Sequence, residues 1–231
     1  MNDFAIIIPA YNEAGRIAAT ITGIRKFVNT DIIVINDGST DKTVKEARDA
    51  GALVIELPFN LGYGAALQTG YKYALFKGYR FAVQMDADGQ HDPGYIMPLL
   101  KEVRSGSADV AIGSRFLGEG DYRPTTLKKI GMIFFSMIAS SITGQKVTDP
   151  TSGFQALNEK SMKFYASDAY PTDFPDADVL IMLHRKGMRF VEVPVKMNQS
   201  TKKKSMHSGI VPLYYLFKMV LSIFVTLLRR D

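Results

Sequence analysis

The sequence predicts an α/β fold with a mostly parallel central sheet flanked by helices. Three observations carry that expectation. Short apolar, β-rich runs alternate with helical patterns through the first half of the chain, the mark of strand–helix–strand units whose strands run parallel. Polar clusters rich in Asp, Asn and Gly follow those runs, where open α/β sheets bind ligands. The 231 residues are enough to bury one sizeable core.

The strands are expected at Phe4–Ile8, Ile32–Ile35, Leu53–Leu57, Phe81–Met85 and Val110–Ile112, each a run of apolar residues. Between them, apolar residues at helical spacing predict helices at Glu13–Val28, Asp41–Ala50, Gly64–Phe76 and Gly94–Arg104. The second half is less regular. Leu127–Ile142 reads as a helix apolar on more than one face, Thr148–Phe154 as a turn-rich loop, Ala177–Lys186 as a helix and Arg189–Val195 as a strand. No internal repeat or low-complexity linker divides the chain. The expected organisation is one catalytic domain over residues 1–209, followed by a C-terminal amphipathic or apolar helix over 210–231.

Composition narrows the class. Hydrophobic residues make up 46% and charged residues 22%, which excludes a disordered chain. The absence of cysteine excludes disulfides, thiolate metal sites and cysteine nucleophiles. The start of the chain lacks a basic region followed by a long apolar run, so no secretory signal is expected. Net charge is +5, concentrated late: seven Lys or Arg and one acid lie from Lys196 onward. Such an end suits an anionic surface. Because it flanks the very apolar Ile210–Leu228, lipid is the expected partner and nucleic acid is not. Tyr215, Lys218, Ser222 and Thr226 form a thin polar stripe along that segment. Its length is borderline against the roughly 20 residues of a bilayer span, so a helix lying in the membrane interface, or one that binds a partner, is expected, with a core helix or an oligomer contact as the alternative.

Asp86 and Asp88 close the fourth run at i, i+2, which in strand geometry puts both on one face. Crowded carboxylates repel unless a cation neutralises them, and hard oxygen ligands suit Mg²⁺ or Mn²⁺, with Gln90 able to add a neutral oxygen. A solvated acidic turn would read the same way. Asp37, in Asn36-Asp-Gly-Ser-Thr-Asp41, offers an acceptor to a base N–H, while Asp41 caps the next helix. Tyr11 offers a ring for stacking and Glu13 an acceptor for ribose hydroxyls; a helix start capped by Asn12 is the bland alternative. Asn60-Leu-Gly-Tyr-Gly-Ala65 does not complete a dinucleotide-binding Gly-x-Gly-x-x-Gly, because its sixth position is Leu67. His91, His184 and His207 belong to no recognisable motif.

Pro9-Ala-Tyr-Asn-Glu13, Asn36-Asp-Gly-Ser-Thr-Asp41, Asn60-Leu-Gly, Asp86-Ala-Asp-Gly-Gln90, Gly113-Ser-Arg115 and Asp149-Pro-Thr-Ser-Gly-Phe154, in this order, resemble family 2 glycosyltransferases of the GT-A fold. More narrowly they are similar to the polyprenyl-phosphate branch, which includes dolichol-phosphate mannose synthases and bacterial undecaprenyl-phosphate sugar transferases. The resemblance runs through about residue 200, and departs from the family at Asn36, where another Asp is usual. It implies that Pro9, Tyr11, Glu13, Asp37, Asn60 and Asp86 bind the nucleotide-sugar donor, and that Asp86, Asp88 and Gln90 hold the metal. It further implies that Asp88 and Arg115 are catalytic, and that Arg115, Arg123, Lys128 and Lys203 face the acceptor phosphate.

The implied activity is inverting transfer of a hexose or N-acetylhexosamine from a nucleotide diphosphate sugar to a polyprenyl phosphate. UDP-glucose or UDP-N-acetylglucosamine is expected first and GDP-mannose next. The enzyme would sit peripherally at the cytoplasmic face of the membrane, with a small membrane protein or a second copy of the chain as an expected partner. Two rivals stand beside it: transfer to a saccharide hydroxyl with Asp176 or Asp178 as base, and a non-catalytic nucleotide-sugar-binding subunit of a membrane complex.

Overall fold

The computed structural model describes residues 2–118, 126–171, 175–198 and 221–226, with 126–130 described by backbone alone. Arg123 and Lys203 lie outside the described residues, as does most of Ile210–Leu228. Elements follow in the order β1 (Phe4–Ala10), α1 (Ile17–Arg25), β2 (Asp31–Asn36), α2 (Thr43–Asp49), β3 (Leu53–Glu56), α3 (Tyr63–Phe76) and β4 (Phe81–Gln84). A short 3₁₀ turn, Pro93–Tyr95, leads into α4 (Ile96–Arg104). Then come β5 (Val110–Ser114), α5 (Thr126–Thr143), β6 (Gln155–Asn158), α6 (Glu159–Tyr165), α7 (Ala177–Arg185) and β7 (Phe190–Pro194).

The seven strands form one sheet in the order β3-β2-β1-β4-β6-β5-β7. Only β6 runs against its neighbours β4 and β5; the remaining pairings are parallel. Period-two alternation sorts the core. From β1, Phe4, Ile6 and Ile8 face one layer with α1 and α4, while Ala5 and Ile7 face the other with α3, α6 and α7. A smaller cluster joins Phe135 of α5, Ala177 and Ile181 of α7, and Ile223 from the helical turn 221–226.

The expected mostly parallel sheet is present. The antiparallel β6 and the following α6 were not anticipated. Gln155-Ala-Leu-Asn158 is short and half polar, without β-branched residues. It becomes a strand because β4 and β5 offer ladders on both sides. Its last residue caps α6, Asn158 Oδ1 accepting from the Ser161 N–H at 2.9 Å. At the other end of the fold α1 starts at Ile17 rather than Glu13. Residues 13–15 instead donate their N–H groups across to Thr43 Oγ1, Asp41 Oδ2 and Glu46 Oε2, at 2.8, 3.2 and 2.6 Å. These side-chain acceptors satisfy the backbone outside a helix.

Candidate functional site

Because six strands run parallel, the loops after β1, β2, β3, β4 and β5 open on one edge. The reversed β6 brings its preceding loop, Thr148–Phe154, to that same edge. The motif clusters therefore meet there.

The β1 and β2 loops are laced together. Asn12, with φ at 53°, donates its N–H to Ser39 Oγ and accepts from the Thr40 N–H through Oδ1. Asp41 accepts from the Thr43 N–H at 2.9 Å, but the N-cap position of α2 is Lys42, one residue later than expected. Tyr11 stands exposed, its ring available for stacking, and Pro9 is buried in β1. Glu13 is buried and ion-paired with Arg16. Asp37 is buried as well, and its two carboxylate oxygens accept from the Leu61 and Gly62 N–H groups at 2.7 and 3.0 Å. It thereby fastens the Asn60 loop to the end of β2; Asn60 itself is exposed. Gly38 makes this approach possible. Its φ is +70°, and a Cβ there would lie 2.6 Å from the Phe59 carbonyl carbon.

The acidic pair departs from the strand geometry expected for it. β4 ends at Gln84, and Asp86–Gln90 turns out of the sheet through Gly89 at φ 77°. Asp88 accepts from the Gln90 N–H at 3.0 Å and from Gln90 Nε2. The amide oxygen of Gln90 takes no part in either bond. Tyr63 donates its hydroxyl proton to Asp86 Oδ1 at 2.8 Å. His91, buried and stacked on Phe154 at 4.9 Å, accepts the Asp86 N–H through Nδ1 at 3.1 Å. Burial lowers the His91 pKa against the opposing pull of Asp86 and Asp88, so the imidazole is neutral near pH 7.

Among the described residues no Lys or Arg pairs with Asp86 or Asp88, and no group of three or more His, Asp or Glu converges as a metal cage. Two carboxylates and an amide oxygen make a partial shell. Such a set fits a hard cation whose other ligands are phosphate oxygens and water.

Arg115 was expected as a cation facing the acceptor. At the end of β5 its Nε donates to Asp149 Oδ2 at 2.6 Å and its Nη2 to Asp149 Oδ1 and Thr151 Oγ1 at 2.5 and 2.8 Å. Its charge is thus matched by a fully buried carboxylate. Glu192 of β7 anchors the same loop, accepting from the Thr148 and Asp149 N–H groups at 2.8 and 2.7 Å. Burial raises its pKa, opposed by these hydrogen bonds. Lys128 lies on α5, in the stretch described by backbone alone.

Asp178 is buried at 0% exposure, and accepts from the Asp176 and Val179 N–H groups and from Ser222 Oγ. It holds the start of α7 and ties the 221–226 turn to the body. Asp176 is partly buried at the N-terminus of α7. In the sequence Tyr63, His91 and Glu192 carry no assigned role, and Gly153 is named only as part of the Asp149–Phe154 motif. Their partners lie on other elements or, for His91, on the main chain of Asp86.

The model of the family described as glycosyl transferase family 2 matches residues 5–165. The chain belongs to glycosyl transferase family 2. The family match takes in Asp37, Asp86, Asp88 and Arg115, and ends at the close of α6. Among sequence relatives, the UDP-N-acetylglucosamine–dolichyl-phosphate N-acetylglucosaminyltransferase of Methanococcus voltae is 29% identical over 210 residues, covering 83% of this chain and 84% of that protein. The undecaprenyl-phosphate mannosyltransferase of Micrococcus luteus is 32% identical over 213 residues, covering 88% and 86%. Glucosyl-3-phosphoglycerate synthase from Mycobacterium tuberculosis, solved with Mn²⁺, UDP-glucose and phosphoglyceric acid, superposes with a TM-score of 0.72 at 18% identity, covering 99% of this chain and 80% of that one. That likeness establishes the GT-A-like fold of this glycosyltransferase.

Proposed function

We propose that this family 2 glycosyltransferase moves a hexose or N-acetylhexosamine, with inversion, from a nucleotide diphosphate sugar to a polyprenyl phosphate. The observation that carries the reading is the Asp86/Asp88/Gln90 turn, two carboxylates without a cationic partner among the described residues, at the edge where the donor motifs meet. The relatives named for dolichyl- and undecaprenyl-phosphate transfer support the acceptor class.

Asp86, Asp88 and Gln90 would hold Mg²⁺ or Mn²⁺, which supplies neutralisation of the charge developing on the departing nucleoside diphosphate. The other residues bind and position. Tyr11 presents a ring to the base, and the Asn60 loop, fastened by Asp37, closes the nucleoside side. Arg115, held rigidly by Asp149, offers a preorganised guanidinium edge rather than a mobile cation. A phosphate monoester loses its second proton near pH 6, by roughly one pH unit below neutrality, so the acceptor attacks without a base. Asp178, buried and hydrogen-bonded, agrees with that requirement.

The chain passes the site again after β7. Asn198 donates its N–H to the Gln90 carbonyl at 2.8 Å and its Nδ2 to the Gly89 carbonyl at 3.2 Å. A membrane surface is the proposed setting. Among the described residues no helix is long and apolar enough to cross a membrane. Ile133, Phe134 and Met137 of α5 and Leu221, Phe224 and Val225 are exposed apolar side chains. Incubating radiolabelled UDP-glucose, UDP-N-acetylglucosamine and GDP-mannose with undecaprenyl phosphate and with saccharide acceptors tests the reading. Label extracted into organic solvent is expected. Label found only in aqueous saccharide product, or nucleotide binding without turnover, overturns it.

A further inference from the structure

Asp86 is held at three points by groups that come from three different parts of the fold. Tyr63, in the first turn of α3, donates to Oδ1 at 2.8 Å. The Tyr63 oxygen in turn accepts from Gln84 Nε2 at 3.0 Å, and Gln84 Oε1 accepts from the buried Tyr71 hydroxyl. His91 accepts the Asp86 main-chain N–H through Nδ1, so its ring proton sits on Nε2, which lies 3.5 Å from Asp86 Oδ2. Gly153 closes the third side. A Cβ there would stand 2.8 Å from the Tyr63 hydroxyl and 3.1 Å from both Asp86 oxygens. The imidazole is itself fixed by stacking on Phe154, at 4.9 Å and 13° between planes. The His91 backbone is bridged to Met197.

A carboxylate alone at a loop would sample several rotamers, and each cation bound would have to select one. Groups that orient a metal ligand through its unused lone pairs and main chain remove that selection, and losing one typically weakens metal affinity about 10- to 100-fold. The geometry points to Tyr63 and His91 as positioning residues that hold the Asp86 carboxylate in the rotamer that receives the donor's cation. Both act through Asp86. The inference rests on the metal reading given under Proposed function.

Titration calorimetry of UDP and GDP, each with MnCl₂ and again with EDTA, separates the two. The wild-type protein is expected to bind one nucleotide more tightly with Mn²⁺ than in EDTA. Tyr63→Phe, which keeps the ring and removes only the hydroxyl, is expected to lose about tenfold of that Mn²⁺-dependent affinity while its affinity in EDTA stays unchanged. His91→Ala is expected to lose more, and His91→Asn, whose Oδ1 can accept the Asp86 N–H, to recover part of the loss. Thermal melts establish that each variant is folded, and Tyr63→Phe carries the test if either His91 variant is not. A wild-type protein whose nucleotide affinity ignores Mn²⁺ overturns the metal reading and this inference with it. A Mn²⁺-dependent wild type, with Tyr63→Phe showing the same dependence or losing affinity equally in EDTA, overturns the positioning role alone.

Discussion

At the scale of single residues, the site depends on where charge is matched and where it is left open. Asp88 has only Gln90 as a hydrogen-bond partner among the described residues, which leaves its charge for a cation. Asp88→Ala is expected to reduce turnover by at least about two orders of magnitude, and excess EDTA to do the same to the wild type, since charge stabilisation of a leaving group is commonly worth that much. Full activity in EDTA would remove the metal from the mechanism. Arg115 is the opposite case. Removing it leaves Asp149 as a buried, unpaired carboxylate, at an expected cost of about 3 kcal/mol in urea denaturation. Arg115→Ala with Asp149→Ala together should cost less than the sum of the two single variants. Equal and additive losses would show that the pair is not coupled. Its proposed acceptor role is better tested with Arg115→Lys, which keeps a charge beside Asp149. A raised KM for the lipid phosphate with unchanged nucleotide affinity is the expected result.

At the scale of elements, α7 is the informative one. Burial raises the Asp178 pKa above its ordinary 3.8, against the lowering effect of hydrogen bonds from Ser222, Asp176 and Val179. A carboxyl group raised in the folded state binds its proton more tightly there than in the unfolded chain. The stability it contributes is therefore full below the unfolded value and declines as pH rises through the folded one. Asp178→Asn removes that dependence. The melting temperature of the variant relative to wild type is expected to rise as pH climbs from about 4 through the raised folded-state value, with turnover largely retained. A relative Tm that falls over that range contradicts the sign, and a folded variant that has lost orders of magnitude in rate would revive a hydroxyl-acceptor mechanism. β6 shows the limit of reading elements from pattern. Gln155-Ala-Leu-Asn158 has little strand character of its own, and only its two neighbouring ladders make it one.

At the scale of the whole molecule, the polar stripe of the C-terminal segment faces inward where it is described. Ser222 reaches Asp178, Thr226 is buried, and Leu221, Phe224 and Val225 face outward. Lipid contact by even a few such side chains is worth several kcal/mol, at roughly 25 cal/mol per Å². High salt should therefore weaken flotation with anionic vesicles, by screening flanking Lys and Arg, without abolishing it. Phe224→Asp with Met137→Asp should release the protein from vesicles while leaving nucleotide affinity intact. Deleting 210–231 is a less clean experiment, because it also removes Ile223 from its cluster with Phe135, Ala177 and Ile181 and is expected to lower the Tm. If the intact protein ignores vesicles of either charge, the membrane surface is not its setting.

The mostly parallel sheet and the gathering of the motif clusters at one edge of it were legible in the sequence because each rests on local pattern. Apolar period, turn chemistry and the residues following a strand are all written within a few positions of one another, as at Asp86, Asp88 and Gln90. What the tertiary structure alone decided are relations between distant positions. Asp37 holds the Asn60 loop, Arg115 is matched by Asp149 34 residues later, and Tyr63 meets Asp86 23 residues later. His91 stacks on Phe154 from a loop far along the chain. No periodicity encodes such contacts, because they join separate elements; the Arg115–Asp149 pair also needs β6 reversed between two parallel strands. That reversal brings the loop carrying Asp149 and Gly153 to the edge where the carboxylates stand.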